Sequence, residues 1–270
     1  MDKYQKSYVN EQKLNKIEED LDEKDEVLGP SISNTESYVG KYADVDGDGE
    51  VDGIIYADLA VGGSGIWNPL GNPMCNSYGE YIIPNVTTGL KEYCVRNKKY
   101  TNAINGEQEV IRAKTISGKP RFYVMALTDI DETCYDWYKE AYAYQMRDYE
   151  SITSVDFGKG ASNTTTMVDM WEAKAYGRDY YYDLWGEIQE QVEEGWYVPS
   201  RAEWAAFGAN LSINKSNYTN KGLSNWYWSS SQYDTAEAYV AKFRDGCMHY
   251  SYVDSDITGD GAYVRLGTTF

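Results

Sequence analysis

The tightest local constraint on this fold sits in residues 195–211, GWYVPSRAEWAAFGANL. Pro199 turns the chain, Ser200 takes the position of a helix N-cap, and Glu203 follows three residues later. Each of the two side chains can then satisfy the other residue's backbone N–H, as in a capping box. This predicts a helix with Trp204 and Phe207 on its inward face. The segments that follow, NWYWSSSQY, AYVAKFRDG and CMHYSYVD, alternate with the two-residue period of strands. Tyr239, Ala241 and Phe243 fall on one face, and Val240, Lys242 and Arg244 on the other. Asp245 and Gly246 form a hairpin-turn pair between the last two strands. AYVRLGTTF predicts a closing strand with Val264 and Leu266 pointing inward.

Upstream, VDGIIYADLAVGG, GIWNPLGNP, EYIIPNV, EQEVIRA and PRFYVMALTD read as short strands and long loops. Two stretches have helical spacing. In residues 134–150, Trp137, Ala141 and Tyr144 form one series and Tyr138, Tyr142 and Tyr149 another. In residues 164–177 the opening threonines can cap a helix, with Met167, Met170, Trp171 and Ala175 on one apolar face. Residues 1 to about 30 are highly charged; Leu14, Ile17, Leu21 and Leu28 make a short heptad seam interrupted by Lys24. GPSISN, residues 29–34, reads as a linker. The expected organisation is a charged N-terminal helix and linker over 1–34, followed by one α+β domain over 35–270 with short antiparallel strands, two or three helices and long loops. The N-terminal seam either joins copies into a homo-oligomer, or attaches the chain to a larger body, or is a solvated helix.

Asp and Glu number 43 against 25 Lys and Arg, a net charge of −18. Such a chain repels nucleic acid and anionic lipid, so neither is expected as a partner. No apolar run approaches the roughly 18 residues of a membrane span, and MDKYQKSYVNEQK lacks the apolar stretch of a signal peptide, so a soluble chain is expected. A single histidine, His249, argues against metal sites built from two or three imidazoles. Cys75, Cys94, Cys134 and Cys247 form no CxxC pair and read as scattered reduced thiols. The 27 Tyr and 8 Trp against 5 Phe give most rings a polar handle. Such rings serve gripping surfaces and half-wet core positions alike.

DVDGDGEVD places Asp44, Asp46, Asp48, Glu50 and Asp52 at positions 1, 3, 5, 7 and 9 of a calcium-type loop, with Gly49 at the tight turn. Position 12 is Ile55 where an EF-hand carries a bidentate Glu, and the pattern is closer to the calcium loops of dockerins. Structural calcium is the expected cofactor; the alternative is a solvated acidic turn. Asp254, Asp256 and Asp260 lack that register and read as a polar loop. Cys247 and His249, two residues apart on one strand face, are the only candidate nucleophile and base, without an orienting third group. Gly62, Gly63 and Gly65 lack the lysine of a P-loop and the spacing of a dinucleotide fingerprint, and read as a turn.

The segment order MWEAKAYG, GWYVPSRAEW, YWSSSQY, AYVAKFRDG, AYVRL resembles the C-type lectin fold branch shared by formylglycine-generating-enzyme-like domains and the variable proteins of diversity-generating retroelements. The resemblance covers about residues 120–270, and VDGIIYADLAVGGSGIWN is similar to upstream parts of such variable proteins. It implies a C-type lectin-like fold. In the retroelement family it implies a rigid scaffold whose C-terminal patch is diversified at template adenines, which yields Asn, Tyr, Asp, Ser, His, Thr and Cys. RDGCMHYSYVDSD, residues 244–256, is rich in that set, whereas Trp226 and Trp228 cannot arise in that way and belong to the scaffold. The enzymatic relatives need a copper-binding cysteine pair or several iron-binding histidines. Cys247 stands alone in the C-terminal stretch and there is one histidine, so both activities are disfavoured.

The expected function is therefore non-enzymatic recognition of a protein or glycan ligand. The frame would consist of Trp204, Phe207, Trp228, Phe243 and Val264. The contact residues, within about 225–260, would be Tyr227, Asp234, Thr235, Arg244, Asp245, Cys247, His249, Tyr250, Tyr252 and Asp254. An oxidase using Cys247, or an undiversified surface adhesin, is the alternative, and display on a phage tail or a cell surface would suit either binding reading.

Overall fold

The computed structural model describes residues 28–138, 153–173, 183–234, 236–252 and 262–270. The rest of the predicted helix at 134–150 lies outside these residues beyond Tyr138, as do Leu14, Ile17, Leu21, Ala175, Thr235, Asp254, Asp256 and Asp260. The architecture is mixed α+β with sheet predominating. The strands are β1 Leu28–Ser31, β2 Tyr42–Asp44, β3 Gly53–Asp58, β4 Gly63–Ile66, β5 Glu80–Ile83, β6 Tyr93–Asn102, β7 Gly106–Ala113, β8 Phe122–Ala126, β9 Trp226–Gln232, β10 Glu237–Lys242, β11 Cys247–Tyr252 and β12 Gly267–Thr269. The helices are α1 Pro73–Asn76, α2 Gly160–Glu172, α3 Leu184–Glu187, α4 Gln189–Glu193 and α5 Arg201–Asn210.

Seven strands form one sheet in the order β1-β6-β7-β2-β3-β8-β12; β11-β10-β9 form a second and β4-β5 a two-stranded ribbon. The apolar run in PRFYVMALTD becomes β8, held between β3 and β12 in the large sheet. Leu28 begins an edge strand beside β6. The expected heptad therefore does not include it, and the expected linker 29–34 begins inside the sheet, because the backbone of this segment finds ladder partners there.

A buried ion pair fastens the next turn of chain to that sheet. Arg121 and Asp58 have no exposed side-chain surface, and the guanidinium is bidentate, with Nε to Oδ1 at 2.8 Å and Nη2 to Oδ2 at 2.9 Å. Its remaining N–H groups donate to the Ser33 and Glu36 carbonyls. A buried charge persists only when satisfied in this way.

Helix α5 begins as expected: Ser200 Oγ accepts from Glu203 N–H at 3.3 Å, and Glu203 Oε2 accepts from Ser200 N–H at 2.6 Å. Trp204 and Phe207 are fully buried. Helix α2 departs from expectation. Its N-cap is Lys159 and the threonines lie inside it, where Thr165 and Thr166 donate to the carbonyls four residues back and Thr164 accepts from the Val198 N–H. Local side-chain bonding of this kind satisfies hydroxyls within a helix without capping it.

The β9–β11 sheet is covered on both sides. Tyr227, Ala241 and Met248 join the core built on Ala202, Trp204 and Phe207 of α5. Trp228, Ala238 and Val240 join the core built on Met167 and Trp171 of α2 and Leu184 and Trp185 of α3. Much of the Trp and Tyr content is thereby absorbed in the interior. The indole N–H groups of Trp67, Trp137, Trp204 and Trp228 each donate to a backbone carbonyl, of Ile213, Ser229, Trp228 and Tyr135 respectively. Burial with a satisfied polar tip lets these rings serve as core residues.

Candidate functional site

Toward its β9–β10 loop the small sheet emerges from this packing. The register pairs Tyr239 with Tyr250, so both rings stand on one face. Tyr233, just past β9, lies parallel to Tyr250 with ring centroids 4.2 Å apart and planes 3° from parallel. Tyr78, from the loop after α1, meets Tyr233, Tyr239 and Tyr250 edge-on at 6.1, 5.6 and 5.9 Å. Tyr233 is 38% exposed, Tyr78 and Tyr250 are half-buried and Tyr239 is buried. The hydrogen bond to Tyr78 pushes the Tyr233 hydroxyl up to about 12.

Arg201, at the start of α5, links this cluster to a cleft. Its guanidinium lies 5.5 Å from the Tyr239 ring centroid and Nη1 donates to the Ser77 carbonyl at 2.8 Å. The cleft, about 580 Å³, is lined by Arg201, Asp156, Phe157 and the outward face of the β4–β5 ribbon. That face exists by alternation: Tyr81 and Ile83 turn inward, whereas Ile66 and Ile82 remain 49% and 74% exposed. Gly65 permits the close approach, since a Cβ there would sit 2.7 Å from the Tyr81 hydroxyl. Two exposed isoleucines, Arg201 and the carboxylates of Glu80 and Asp156 make an amphipathic concavity of the kind that holds ligands, with the tyrosine cluster reached through Arg201 on Tyr239.

The structure disperses the residues expected to make contact. Tyr227 is a correction: it is fully buried, stacked on Trp204 with centroids 4.9 Å apart. Its hydroxyl donates to Asp129 and accepts from the Ser224 N–H at 2.7 Å. Cys247 is a second correction, 4% exposed on the strand side covered by α1. Parity within a strand does not say what packs against it: α5 covers Tyr227, and α1 packs on β11, which Cys247 begins. Asp234 is half-buried and shapes the β9–β10 turn, its Oδ1 accepting from the Ala236 and Glu237 N–H groups. His249 is half-buried, and its Nδ1–H donates to the Tyr250 carbonyl at 2.8 Å. Tyr252 ends β11 opposite Glu237. Arg244 is exposed and Asp245 half-buried at the opposite hairpin tip, where Gly246 has φ 69° and donates to the Lys242 carbonyl.

Among the described residues of the expected set, Tyr250 joins the tyrosine cluster, with the His249 ring 5.0 Å from it. Tyr233 and Tyr239 lie in segments already recognised as strands, and their pairing could have been proposed from alternation. Tyr78 and Arg201 carry no such signal, because only the tertiary fold brings them there.

In the acidic loop, the carboxylates of Asp44, Asp46 and Asp48 lie within 4.8 Å of one another. Glu50 and Asp52 stand outside that group: Glu50 is exposed, and Asp52 Oδ2 accepts from the Val45 N–H at 2.6 Å, bracing the loop. Ile55 is fully buried in β3 and offers no twelfth-position ligand. Asp44 is buried, with Oδ2 paired to Arg96 at 3.3 Å and Oδ1 without a hydrogen-bond partner. Arg96 and Arg112 donate to the Gly49 and Gly47 carbonyls and so fix the turn from outside. A buried carboxylate oxygen without a donor, beside two further carboxylates, fits a hard cation.

Cys75 and Cys247 meet. Burial, with Cys75 beside it, pushes the Cys247 thiol up to about 12. Among the described residues, no helix is long and apolar enough to cross a membrane.

No protein-family model matches the chain, and no curated protein matches it. Among solved structures, a fimbrial protein from Bacteroides ovatus is similar over 56% of this chain, with a TM-score of 0.33 and 16% identity. The match spans 36% of that protein's chain.

Proposed function

We propose that this is a non-enzymatic ligand-binding protein of C-type lectin-like fold that presents a receptor-recognition surface at the rim of its C-terminal sheet. The observation that carries the reading is the parallel Tyr233–Tyr250 pair, joined through Tyr239 to Arg201 and the amphipathic cleft. Rings already stacked lose little freedom when a ligand covers them, and their phenol edges hydrogen-bond without charge. Such a surface suits the ring faces of a glycan or the apolar side chains of a protein loop. The resemblance to retroelement variable proteins supports diversification of this region, with Tyr250, Tyr252 and Asp254 among the varied positions and Trp204, Phe207 and Trp228 as the frame. Calcium, held by Asp44, Asp46 and Asp48, would supply positive charge that clamps the loop between β2 and β3.

Two measurements test the reading. Binding of full-length protein to an immobilised oligosaccharide panel and to a displayed peptide library should fall on substitution of Tyr233 or Tyr250. Equal binding by parent and variants refutes the surface. Sequencing the gene's 3′ neighbourhood should reveal a near-repeat differing at adenines; a single-copy 3′ end leaves an undiversified adhesin. The meeting of Cys75 with Cys247 favours, as a second reading, the oxidase that a solitary thiol disfavoured. Copper-dependent oxygen uptake that is lost in Cys247→Ser would establish it.

A further inference from the structure

Cys75 and Cys247 lie far apart in the chain and side by side in the fold. Helix α1 packs on β11, the two side chains are 3% and 4% exposed, and Cys75 is among the groups that act on the Cys247 thiol. Three residues beyond each cysteine stands a member of the tyrosine cluster, Tyr78 on one side and Tyr250 on the other, and these two rings touch.

We propose that Cys75 and Cys247 become joined by a disulfide when the chain folds under oxidising conditions, clamping the Tyr78 loop onto the strand that carries Tyr250. The inference rests on the thiol contact and holds whether or not the tyrosine rim binds a ligand. The oxidant is a small or protein disulfide, RSSR. One cysteine thiolate attacks RSSR, forming a mixed disulfide and releasing one RS⁻. The second thiolate then displaces the other RS⁻ and closes the Cys75–Cys247 bond. The two cysteines together lose two electrons and two protons, and RSSR takes them up as two RSH. Exchange needs a thiolate and access. The pair is covered in the finished fold, where burial also holds the proton on Cys247, so the bond forms before α1 docks on β11. It then persists, because the same burial shields it from reductants.

Refolding the full chain in mixed oxidised and reduced glutathione, and in parallel in excess dithiothreitol, tests this directly. After denaturing alkylation, the glutathione sample should carry two alkyl groups on its four cysteines. Non-reducing digestion should yield one cross-linked peptide pair, containing Cys75 and Cys247. Its melting temperature should exceed that of the dithiothreitol sample by several degrees. Native protein exposed to the same buffer only after folding should oxidise more slowly by at least about tenfold. A native-like circular dichroism spectrum with all four thiols alkylated in the glutathione sample overturns the proposal. So does a cross-link that uses Cys94 or Cys134. Because the unaltered chain supplies the decisive readout, a Cys75→Ser variant that fails to fold does not obscure it.

Discussion

Tyr233 and Tyr250 lie face to face, ring centroids 4.2 Å apart and planes 3° from parallel, at the open rim of the β9–β11 sheet. Tyr227, in the same sheet, stacks instead on Trp204 in the interior with no exposed surface. The same residue type thus does two different jobs, decided by what packs above the strand.

Substitution separates the two roles. Tyr250→Ala should lower ligand binding by about tenfold or more, as loss of an interfacial aromatic anchor does, with little change in melting temperature. Tyr227→Phe should leave binding unchanged and cost about 1–3 kcal/mol of stability, since Asp129 and the Ser224 N–H lose a buried partner. Urea unfolding and surface plasmon resonance on both variants check the pair; the reverse pattern would place the recognition surface elsewhere.

Glu203 gives the fold an acid-side preference. Burial pushes its carboxyl from 4.5 up to about 7, despite hydrogen bonds from the Ser200 backbone and side chain and from the Gly158 and Gly160 backbone that lower it. The folded state holds the proton more tightly than the unfolded chain. Its contribution is therefore full below about pH 4.5 and is lost as pH rises through about 7, amounting to about 3 kcal/mol across that window. In Glu203→Gln, the amide oxygen can still accept from Ser200 N–H, and the urea midpoint should lose most of its decline between pH 4.5 and 7. An unchanged decline would assign it to other groups.

Asp58→Ala should destabilise the protein by about 3–5 kcal/mol, because it strands the fully buried Arg121 guanidinium without its bidentate partner. Thermal melts of a doubly apolar variant, Asp58→Ala with Arg121→Met, should recover part of the loss. No recovery would mean that Arg121 matters mainly through the Ser33 and Glu36 carbonyls.

Calcium at about one hundred times its dissociation constant should stabilise the parent by about 2.7 kcal/mol. The gain should vanish in Asp46→Ala with Asp48→Ala, two exposed residues whose removal leaves Asp44 and Arg96 paired. Isothermal titration showing no heat with the parent, and identical melts of parent and variant, would reduce the loop to an acidic turn.

Features written within a few residues of one another were legible before the fold was seen. The Ser200–Glu203 capping box, the two-residue alternation of β10 and the Asp245–Gly246 turn depend on local backbone geometry, whereas the expected closing strand shrinks to Gly267–Thr269, with Val264, Arg265 and Leu266 all buried ahead of it. The threonines of α2 misled because hydroxyls can bond to a helix from inside as well as cap it. Leu28 misled because an apolar residue at heptad spacing serves an edge strand equally well.

Alternation by itself placed Tyr239, Ala241 and Phe243 on one face of β10 and Val240 and Lys242 on the other, and the strand register then put Tyr227 and Met248 with Ala241 and Trp228 with Val240. Whether either face meets water was settled only when α5 closed over one and α2 with α3 over the other. Side-chain parity is a property of the strand, whereas burial is a property of whatever distant segment docks against it. The same reason placed Tyr78 against Tyr250 and Cys75 against Cys247, contacts that exist only once the β4–β5 region folds back onto the C-terminal sheet.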